Sequence, residues 1–297
     1  MHPDQLAVTS GTARQLIAEQ FPSWAHLPIR TVASHGTVNT LFRIGDGLAA
    51  RFPLQPADPL QTLQWLKDEA AAARELLGCT PFATPEPVAL GQPGAGYPLP
   101  WSVQTWVPGV VATDLAPGES PGFASDLAVF IRSVRAIETR GRRFSGPSRG
   151  GVLSGRDAWV QTCLERSWSL LDVSRLRSLW NGWRQLPRGG APDVMSHGDL
   201  MPGNVLMADG RLTGVIDVGG LGPADPALDL VGAWHLLEVG PRQVLRDRLG
   251  CGDEEWARGQ GWAFAQAIGL VWYYALGNPV MAAVGRRTLD RLIHATE

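Results

Sequence analysis

Two carboxylates and one carboxamide, Asp199, Asn204 and Asp217, lie within nineteen residues. Two short apolar runs, residues 205–207 and 212–216, separate the last two, and an Asp-Gly dipeptide between the runs predicts a β-hairpin. Because a hairpin folds back on itself, we expect Asn204 and Asp217 to lie side by side at its open end. An amide oxygen beside a carboxylate suits Mg²⁺ and leaves positions for phosphate oxygens. Asp199 could then take a hydroxyl proton, as phosphoryl transfer requires.

The run His197-Gly-Asp199-Leu-Met-Pro-Gly-Asn204, followed by Ile216-Asp217, resembles the catalytic segment of the aminoglycoside phosphotransferase family. Members of that family are antibiotic and small-molecule kinases with a protein-kinase-like fold. An Asp, four residues and an Asn, with a second Asp thirteen residues later, is a specific spacing. The alternative is a polar surface hairpin with solvated carboxylates. The resemblance is favoured because further family features follow in order from about residue 28 onward.

The resemblance implies an α+β class and a bilobal protein-kinase-like fold. A nucleotide-binding N-terminal lobe with an antiparallel β-sheet would span residues 1–107, and a mostly helical C-terminal lobe residues 110–297. The hinge would lie at about residues 104–109 and the catalytic loop at residues 197–204. ATP or GTP with Mg²⁺ would bind in the cleft, with the small-molecule hydroxyl substrate on the helical side.

The resemblance also implies roles for single residues. Asp199 would be catalytic and would orient or deprotonate the hydroxyl, while Asn204 and Asp217 would bind Mg²⁺. His197 is expected to hydrogen-bond the catalytic loop rather than to transfer protons. Asp229, in a segment that resembles a family signature, would brace this loop, and its position at a helix start favours a structural role.

Hydrophobic periodicity predicts most secondary-structure elements without the resemblance. Strands are expected at residues 29–34, 41–45, 48–53 and 87–90, and an edge strand at residues 101–107. Helices are expected at residues 10–21, 61–77, 123–137, 158–186, 231–237, 242–249, 253–276 and 280–294.

The turn between the first two strands resembles the nucleotide-flap loop of the family. Its backbone N–H groups, including that of Gly36, and the hydroxyls of Ser34 and Thr37 would hold phosphate. The alternative is an ordinary hairpin turn.

Arg51 lies on the third strand, where the family has the basic side chain that binds phosphate. Lys67 is the only lysine and no Gly precedes it, which excludes a P-loop. A guanidinium can bind phosphate oxygens with two N–H groups and keeps its charge when partly buried. Glu69 lies about 80° from the centre of the apolar stripe on its helix, so it could reach Arg51, or else face solvent.

The segment Gln104 to Val107, which includes Trp106, resembles the interlobe hinge whose backbone binds the purine. The sequence departs from the family after Asp217, where Val218-Gly219 replaces the usual aromatic residue. We expect looser packing around Asp217 as a consequence.

Composition excludes several classes of protein. A net charge of −2 and a pI near 6.3 give no reason to expect nucleic acid as a partner. The spacing of the three cysteines, Cys79, Cys163 and Cys251, is not that of metal ligands or of a disulfide framework. Residues 1–4 do not resemble the start of a signal peptide. From both observations we expect a cytoplasmic protein. The apolar stretch at residues 262–284 contains a Gly-Asn-Pro break, which predicts a buried helix and no membrane span. The sequence sets no oligomeric state.

The expected reaction is Mg²⁺-dependent transfer of the γ-phosphate of ATP or GTP to a hydroxyl of an antibiotic, of aminoglycoside or macrolide type, which inactivates the drug. Residues 111–190 hold 12 Arg against 7 Asp and Glu, and residues 225–297 hold 7 Arg against 9, so the helical region is not acidic overall. Its many Trp residues favour a larger, less charged acceptor such as a macrolide, with a local acidic pocket for an aminoglycoside as the alternative. Kinases of choline, homoserine or sugars remain alternatives within this fold. A catalytically silent binding module is the rival from another class, although all three polar site residues are present.

Overall fold

A computed structural model describes residues 5–33, 38–115, 117–146 and 148–295, without the side chains of residues 114 and 115. The chain forms two compact units. The first comprises Met1–Leu77, Ala83–Pro108 and Ile216–Gly219, and the second comprises Gly78–Phe82, Gly109–Val215 and Gly220–Glu297.

In its described part the first unit contains an antiparallel sheet with the strand order β1-β2-β3-β5-β4, together with two helices. The elements are α1 (Ser10–Gln20), β1 (Ile29–Val32), β2 (Asn39–Ile44), β3 (Leu48–Pro53), α2 (Pro59–Leu76), β4 (Pro87–Gly91) and β5 (Trp101–Thr105). Helix α2 begins after Asp58, whose carboxylate accepts a hydrogen bond from the Gln61 N–H and so caps the helix. The strands and helices predicted here are confirmed, with ends that shift by a few residues.

The prediction that residues 101–107 form an edge strand is wrong. Strand β5 pairs with β3 on one side and with β4 on the other, so it lies inside the sheet, and β4 forms the edge. Pro87 at the start of β4 suits an edge position because proline cannot donate to a sheet ladder.

Aromatic packing holds β5 in the interior of the first unit. Phe52 stacks on Trp101 with 4.7 Å between ring centroids, and the Tyr97 hydroxyl donates to the Pro53 carbonyl at 2.7 Å. A Cβ at Gly91 would lie 2.0 Å from the Trp101 ring, so glycine is required where β4 crosses the indole.

The second unit is mostly helical and contains two small antiparallel sheets in its described part. Its elements are β6 (Val110–Val111), α3 (Ala112–Leu115), α4 (Pro121–Arg135), α5 (Asp157–Arg166), α6 (Val173–Trp183), β7 (Val194–Ser196), β8 (Val205–Ala208), β9 (Arg211–Val215), β10 (Gly222–Ala224), α7 (Val231–Leu236), α8 (Val239–Leu249), α9 (Asp253–Tyr273) and α10 (Pro279–His294). Across the described ranges, none of the helices has the length and apolar character that crossing a membrane requires.

The helical region predicted at residues 158–186 contains two helices, α5 and α6, with a break between them. Ser167 is buried at the end of α5, and Asp172 caps α6 by accepting a hydrogen bond from the Arg175 N–H at 3.2 Å. An aspartate that caps a helix interrupts an otherwise continuous apolar pattern.

The hairpin predicted from the Asp-Gly dipeptide is confirmed. Strands β8 and β9 pair with Ala208 opposite Arg211, and both turn residues have positive φ, 51° at Asp209 and 72° at Gly210. Two consecutive positive φ values are typical of a type I′ turn, which Asp-Gly favours. This hairpin begins directly after Asn204.

Candidate active site

Asp199 lies in the loop between β7 and β8 of the second unit, and three side chains hold its carboxylate. Arg149 Nη2 donates to Oδ1 at 2.9 Å, and Gln266 Nε2 donates to the same oxygen. Asn204 Nδ2 donates to Oδ2 at 3.0 Å. The Asp199 side chain is still 34% exposed. The carboxylate is therefore fixed in orientation and remains open to a small molecule.

The buried carboxylate of Asp229 holds the loop that carries Asp199. This carboxylate is 1% exposed and accepts hydrogen bonds from the backbone N–H groups of His197 at 2.9 Å and Gly198 at 2.8 Å. The predicted bracing contact is present, but it acts through loop N–H groups rather than through the start of a helix. His197 is buried, and its Nδ1 accepts a hydrogen bond from the Asp199 N–H at 3.3 Å, so it does hydrogen-bond the loop.

Asn204 has an amide with a defined orientation. Its nitrogen donates to the Asp199 carboxylate and also to the Asp199 main-chain oxygen, each at 3.0 Å. The amide oxygen is therefore directed away from Asp199. An oxygen presented in this way fits a hard cation such as Mg²⁺.

A buried chain of hydrogen bonds fixes Gln266. Its Oε1 lies 3.1 Å from His235 Nε2, and His235 Nδ1 lies 2.8 Å from the Thr288 hydroxyl. Burial lowers the pKa of His235 to about 4, so the imidazole is neutral at pH 7. Because Gln266 turns its nitrogen toward Asp199, its oxygen accepts from His235, which assigns the hydrogen to Nε2. Gln266 consequently keeps its N–H group on Asp199.

Arg51 in the first unit binds two carboxylates. Its Nη1 lies 3.0 Å from Glu69 Oε2, which is the predicted contact, and its Nη2 lies 3.1 Å from Asp217 Oδ1. Arg51 and Glu69 are 12% exposed, whereas Asp217 is 48% exposed. Burial raises the pKa of Glu69, Arg51 lowers it, and the charge of Asp217 raises it further. Glu69 and Asp217 therefore share the Arg51 guanidinium, and Asp217, the more exposed of the two, could also bind a cation.

A cavity of about 310 Å³ in the first unit is lined by Arg51, Glu69 and Gln104 together with apolar side chains of α2, β4 and β5. Of the predicted hinge residues, Gln104 lines this cavity. Trp106 lies under the Arg43 guanidinium at 4.8 Å, and Val107 is buried.

A second cavity, in the second unit, also has a volume of about 310 Å³ and is bordered by Arg143, Arg149, His197 and Asp199. The predicted flap residues Ser34, Gly36 and Thr37 lie outside the described residues.

A sequence profile of the phosphotransferase enzyme family matches residues 30–266, which is most of the chain. The chain belongs to this family. An aminoglycoside 3′-phosphotransferase of Streptomyces fradiae is 33% identical over 156 residues, which cover 49% of this chain and 56% of that protein. The chain spans about half the length of the curated relatives that it matches.

Two solved structures show the fold. Aminoglycoside 2′-phosphotransferase-IIIa in complex with GDP superimposes with a TM-score of 0.71 at 19% identity, covering 98% of this chain and 100% of that chain. A macrolide 2′-phosphotransferase from Brachybacterium faecium does so with a TM-score of 0.60 at 19% identity, covering 95% and 97%. The α+β, protein-kinase-like fold predicted for this chain is confirmed.

The looser packing expected around Asp217, which is half exposed, does not extend to Val218 and Gly219, the residues that stand in place of an aromatic residue. Val218 is 4% exposed, and a Cβ at Gly219 would lie 2.6 Å from Glu69 Cγ. Glycine at this position allows the Glu69 side chain to approach the backbone and reach Arg51. Asp217 itself has a φ of 60°, a left-handed conformation that Asp tolerates better than most residues.

Gly219→Ala is expected to destabilise the protein by about 1–3 kcal/mol, because the new methyl group overlaps the Glu69 side chain. Urea unfolding measures the effect. Gly47→Ala in the same unit is the matched control, since a Cβ there meets no atom within 4 Å among the described residues. Equal unfolding free energies for the two variants would contradict the packing described for Gly219.

Sequence reasoning missed two residues that contact Asp199. Arg149 begins an Arg-Gly-Gly run in a loop, and Gln266 is a polar residue within an apolar helix. A polar side chain at a buried helical position must find a hydrogen-bond partner, and that requirement was the available indication for Gln266.

Proposed function

We propose that this chain transfers the γ-phosphate of ATP or GTP to a hydroxyl of a small molecule in a Mg²⁺-dependent reaction. The observation that carries the proposal is the Asp199 carboxylate, fixed by three donors and bordering a cavity. A carboxylate held this way orients an incoming hydroxyl and accepts its proton as the oxygen attacks phosphorus. Phosphoryl transfer depends mainly on position and charge, so a fixed, accessible base is what it needs.

Asn204 and Asp217 are the proposed Mg²⁺ ligands. The Asn204 amide oxygen is directed away from Asp199, and the Asp217 carboxylate is half exposed. Bound Mg²⁺ would neutralise phosphate charge.

Arg51 is the proposed phosphate anchor, and Glu69 holds its guanidinium in place. Because Arg51 is partly buried and pairs with two carboxylates, it keeps a defined direction before nucleotide binds. The backbone of Gln104, Trp106 and Val107 is proposed to bind the purine, and Ser34, Gly36 and Thr37 the phosphates. The GDP bound to the solved aminoglycoside phosphotransferase supports a purine nucleotide as donor.

The names of the relatives support an antibiotic as the acceptor, of aminoglycoside or macrolide type. The charge around the cavity beside Asp199 distinguishes between aminoglycosides and macrolides as acceptors. The cavity beside Asp199 is bordered by Arg143 and Arg149, and Arg149 already pairs with the Asp199 carboxylate. A polycationic aminoglycoside would meet repulsion there, so a macrolide is the favoured class.

The test is transfer of labelled γ-phosphate from ATP and from GTP, with Mg²⁺, to aminoglycosides, macrolides, peptide antibiotics and small alcohols. We expect transfer to one class of acceptor, with macrolides ahead of aminoglycosides. Tight nucleotide binding without transfer to any compound would favour a catalytically silent binding module. A protein that binds neither ATP nor GTP would overturn the proposed function.

A further inference from the structure

Arg149 is a cation in direct contact with the candidate base. Its Nη2 lies 2.9 Å from Asp199 Oδ1, its side chain is 31% exposed, and it borders the cavity beside Asp199. We propose that Arg149 is a catalytic residue that binds the phosphoryl group while it passes from nucleotide to acceptor. This inference rests on the proposed function.

The position of Arg149 follows from the position of Asp199. An acceptor hydroxyl oxygen that gives its proton to Asp199 must lie within about 3 Å of the carboxylate. The phosphorus that bonds to this oxygen brings its own oxygens into the same space. Since Arg149 is already in contact with the carboxylate, its guanidinium lies within reach of those phosphoryl oxygens.

The segment that follows His197 contains no lysine or arginine. Residues 198–204 are Gly, Asp, Leu, Met, Pro, Gly and Asn. During phosphoryl transfer, negative charge spreads over the three equatorial oxygens, and a nearby cation stabilises them. Arg149 supplies such a charge from a different part of the chain.

Arg149 can turn toward phosphate without releasing Asp199. Gln266 donates to the same carboxylate oxygen, and Asn204 holds the other oxygen. Gln266 is itself fixed by the buried His235. A guanidinium has five N–H donors, and the contact with Asp199 uses one of them. The orientation of the base therefore has its own support, which leaves Arg149 available for the phosphoryl group.

Charge also balances through the reaction. A bond forms between the acceptor oxygen and the γ-phosphorus, and the bond from this phosphorus to the bridging oxygen breaks, with its electron pair going to the nucleoside diphosphate. The hydroxyl proton passes to Asp199, which becomes neutral. Arg149 loses its anionic partner at the moment when the new phosphate ester appears beside it, so one ion pair replaces another.

The test measures binding of MgADP and MgGDP with and without aluminium fluoride, a planar mimic of the phosphoryl group, with water in place of the acceptor. We expect aluminium fluoride to tighten diphosphate binding by the wild type. In Arg149→Gln this gain in affinity should be smaller by at least about tenfold. Arg149→Lys should keep part of it. Diphosphate affinity without fluoride should stay within about twofold in both Arg149 variants, because the transferred group is the part of the nucleotide that Arg149 is proposed to contact.

Arg143→Gln is the matched control, because Arg143 borders the same cavity and has no hydrogen bond to Asp199 among the described contacts. It should retain the fluoride gain.

The proposal is overturned if Arg149→Gln retains the gain with an unchanged unfolding midpoint, or if the wild type shows none. Failure to bind either diphosphate would instead overturn the proposed function, so the two failures are distinguishable.

Discussion

Asp199→Asn is expected to lower kcat by about 10²–10⁴-fold, the range that a positioned general base contributes. The substitution preserves shape but removes the charge and the proton acceptor. It also places an amide N–H₂ against N–H donors, either those of Arg149 and Gln266 or that of Asn204. Initial rates of phosphate transfer to the acceptor identified in the panel, at saturating nucleotide, measure the effect.

The matched control is Asp209→Asn, the same change at an exposed turn residue of the same unit whose positive φ suits Asn equally well. It should leave kcat unchanged. A wild-type rate for Asp199→Asn would remove Asp199 from the catalytic role and direct attention to another acceptor of the proton.

Patterns that act over a few residues predicted local structure well. The Asp-Gly dipeptide fixed the β8–β9 hairpin because positive φ at two consecutive positions restricts the turn type. The apolar stripe and the capping Asp58 together defined α2. The angle of Glu69 from that stripe left two positions open, contact with Arg51 or exposure to solvent, and the contact implied by the family resemblance is the one present.

Features that depend on distant partners were not predictable from one sequence. Strand β5 is interior because β3 and β4 pair with it, and no property of residues 101–105 requires two partners. Arg149 and Gln266 reach Asp199 from positions 50 and 67 residues away along the chain. The sequence contained each residue type, but the tertiary fold decides which of the many arginines meets this carboxylate.

One face of α9 explains how Gln266 reaches its position. Arg258, Trp262 and Gln266 are spaced four residues apart, so they project from the same side of the helix. Arg258 and Trp262 both bind Asp225, with Arg258 Nε at 3.1 Å and Trp262 Nε1 at 3.0 Å from Oδ2. Asp225 therefore anchors the helix one turn away from the residue that holds Asp199.

Asp225→Ala is expected to destabilise the protein by about 3–5 kcal/mol, because it leaves a buried guanidinium without its partner. Asp225 is 1% exposed, and its Oδ1 also accepts from Arg258 Nη2 at 3.2 Å and from the Ala227 N–H at 3.1 Å. The free energy of unfolding, from urea titration followed by tryptophan fluorescence, measures the loss.

The matched control for Asp225→Ala is Asp46→Ala, which also removes an aspartate from an ion pair with arginine. Asp46 is 91% exposed and lies 3.3 Å from Arg43, and surface pairs of this kind contribute about 0–1 kcal/mol. A loss no larger for Asp225→Ala than for Asp46→Ala would mean that the Arg258 guanidinium finds water or another acceptor. Because α9 also carries Gln266, the folded fraction of Asp225→Ala should show a lower kcat than wild type. A normal kcat in that fraction would mean that His235 alone is enough to keep Gln266 on Asp199.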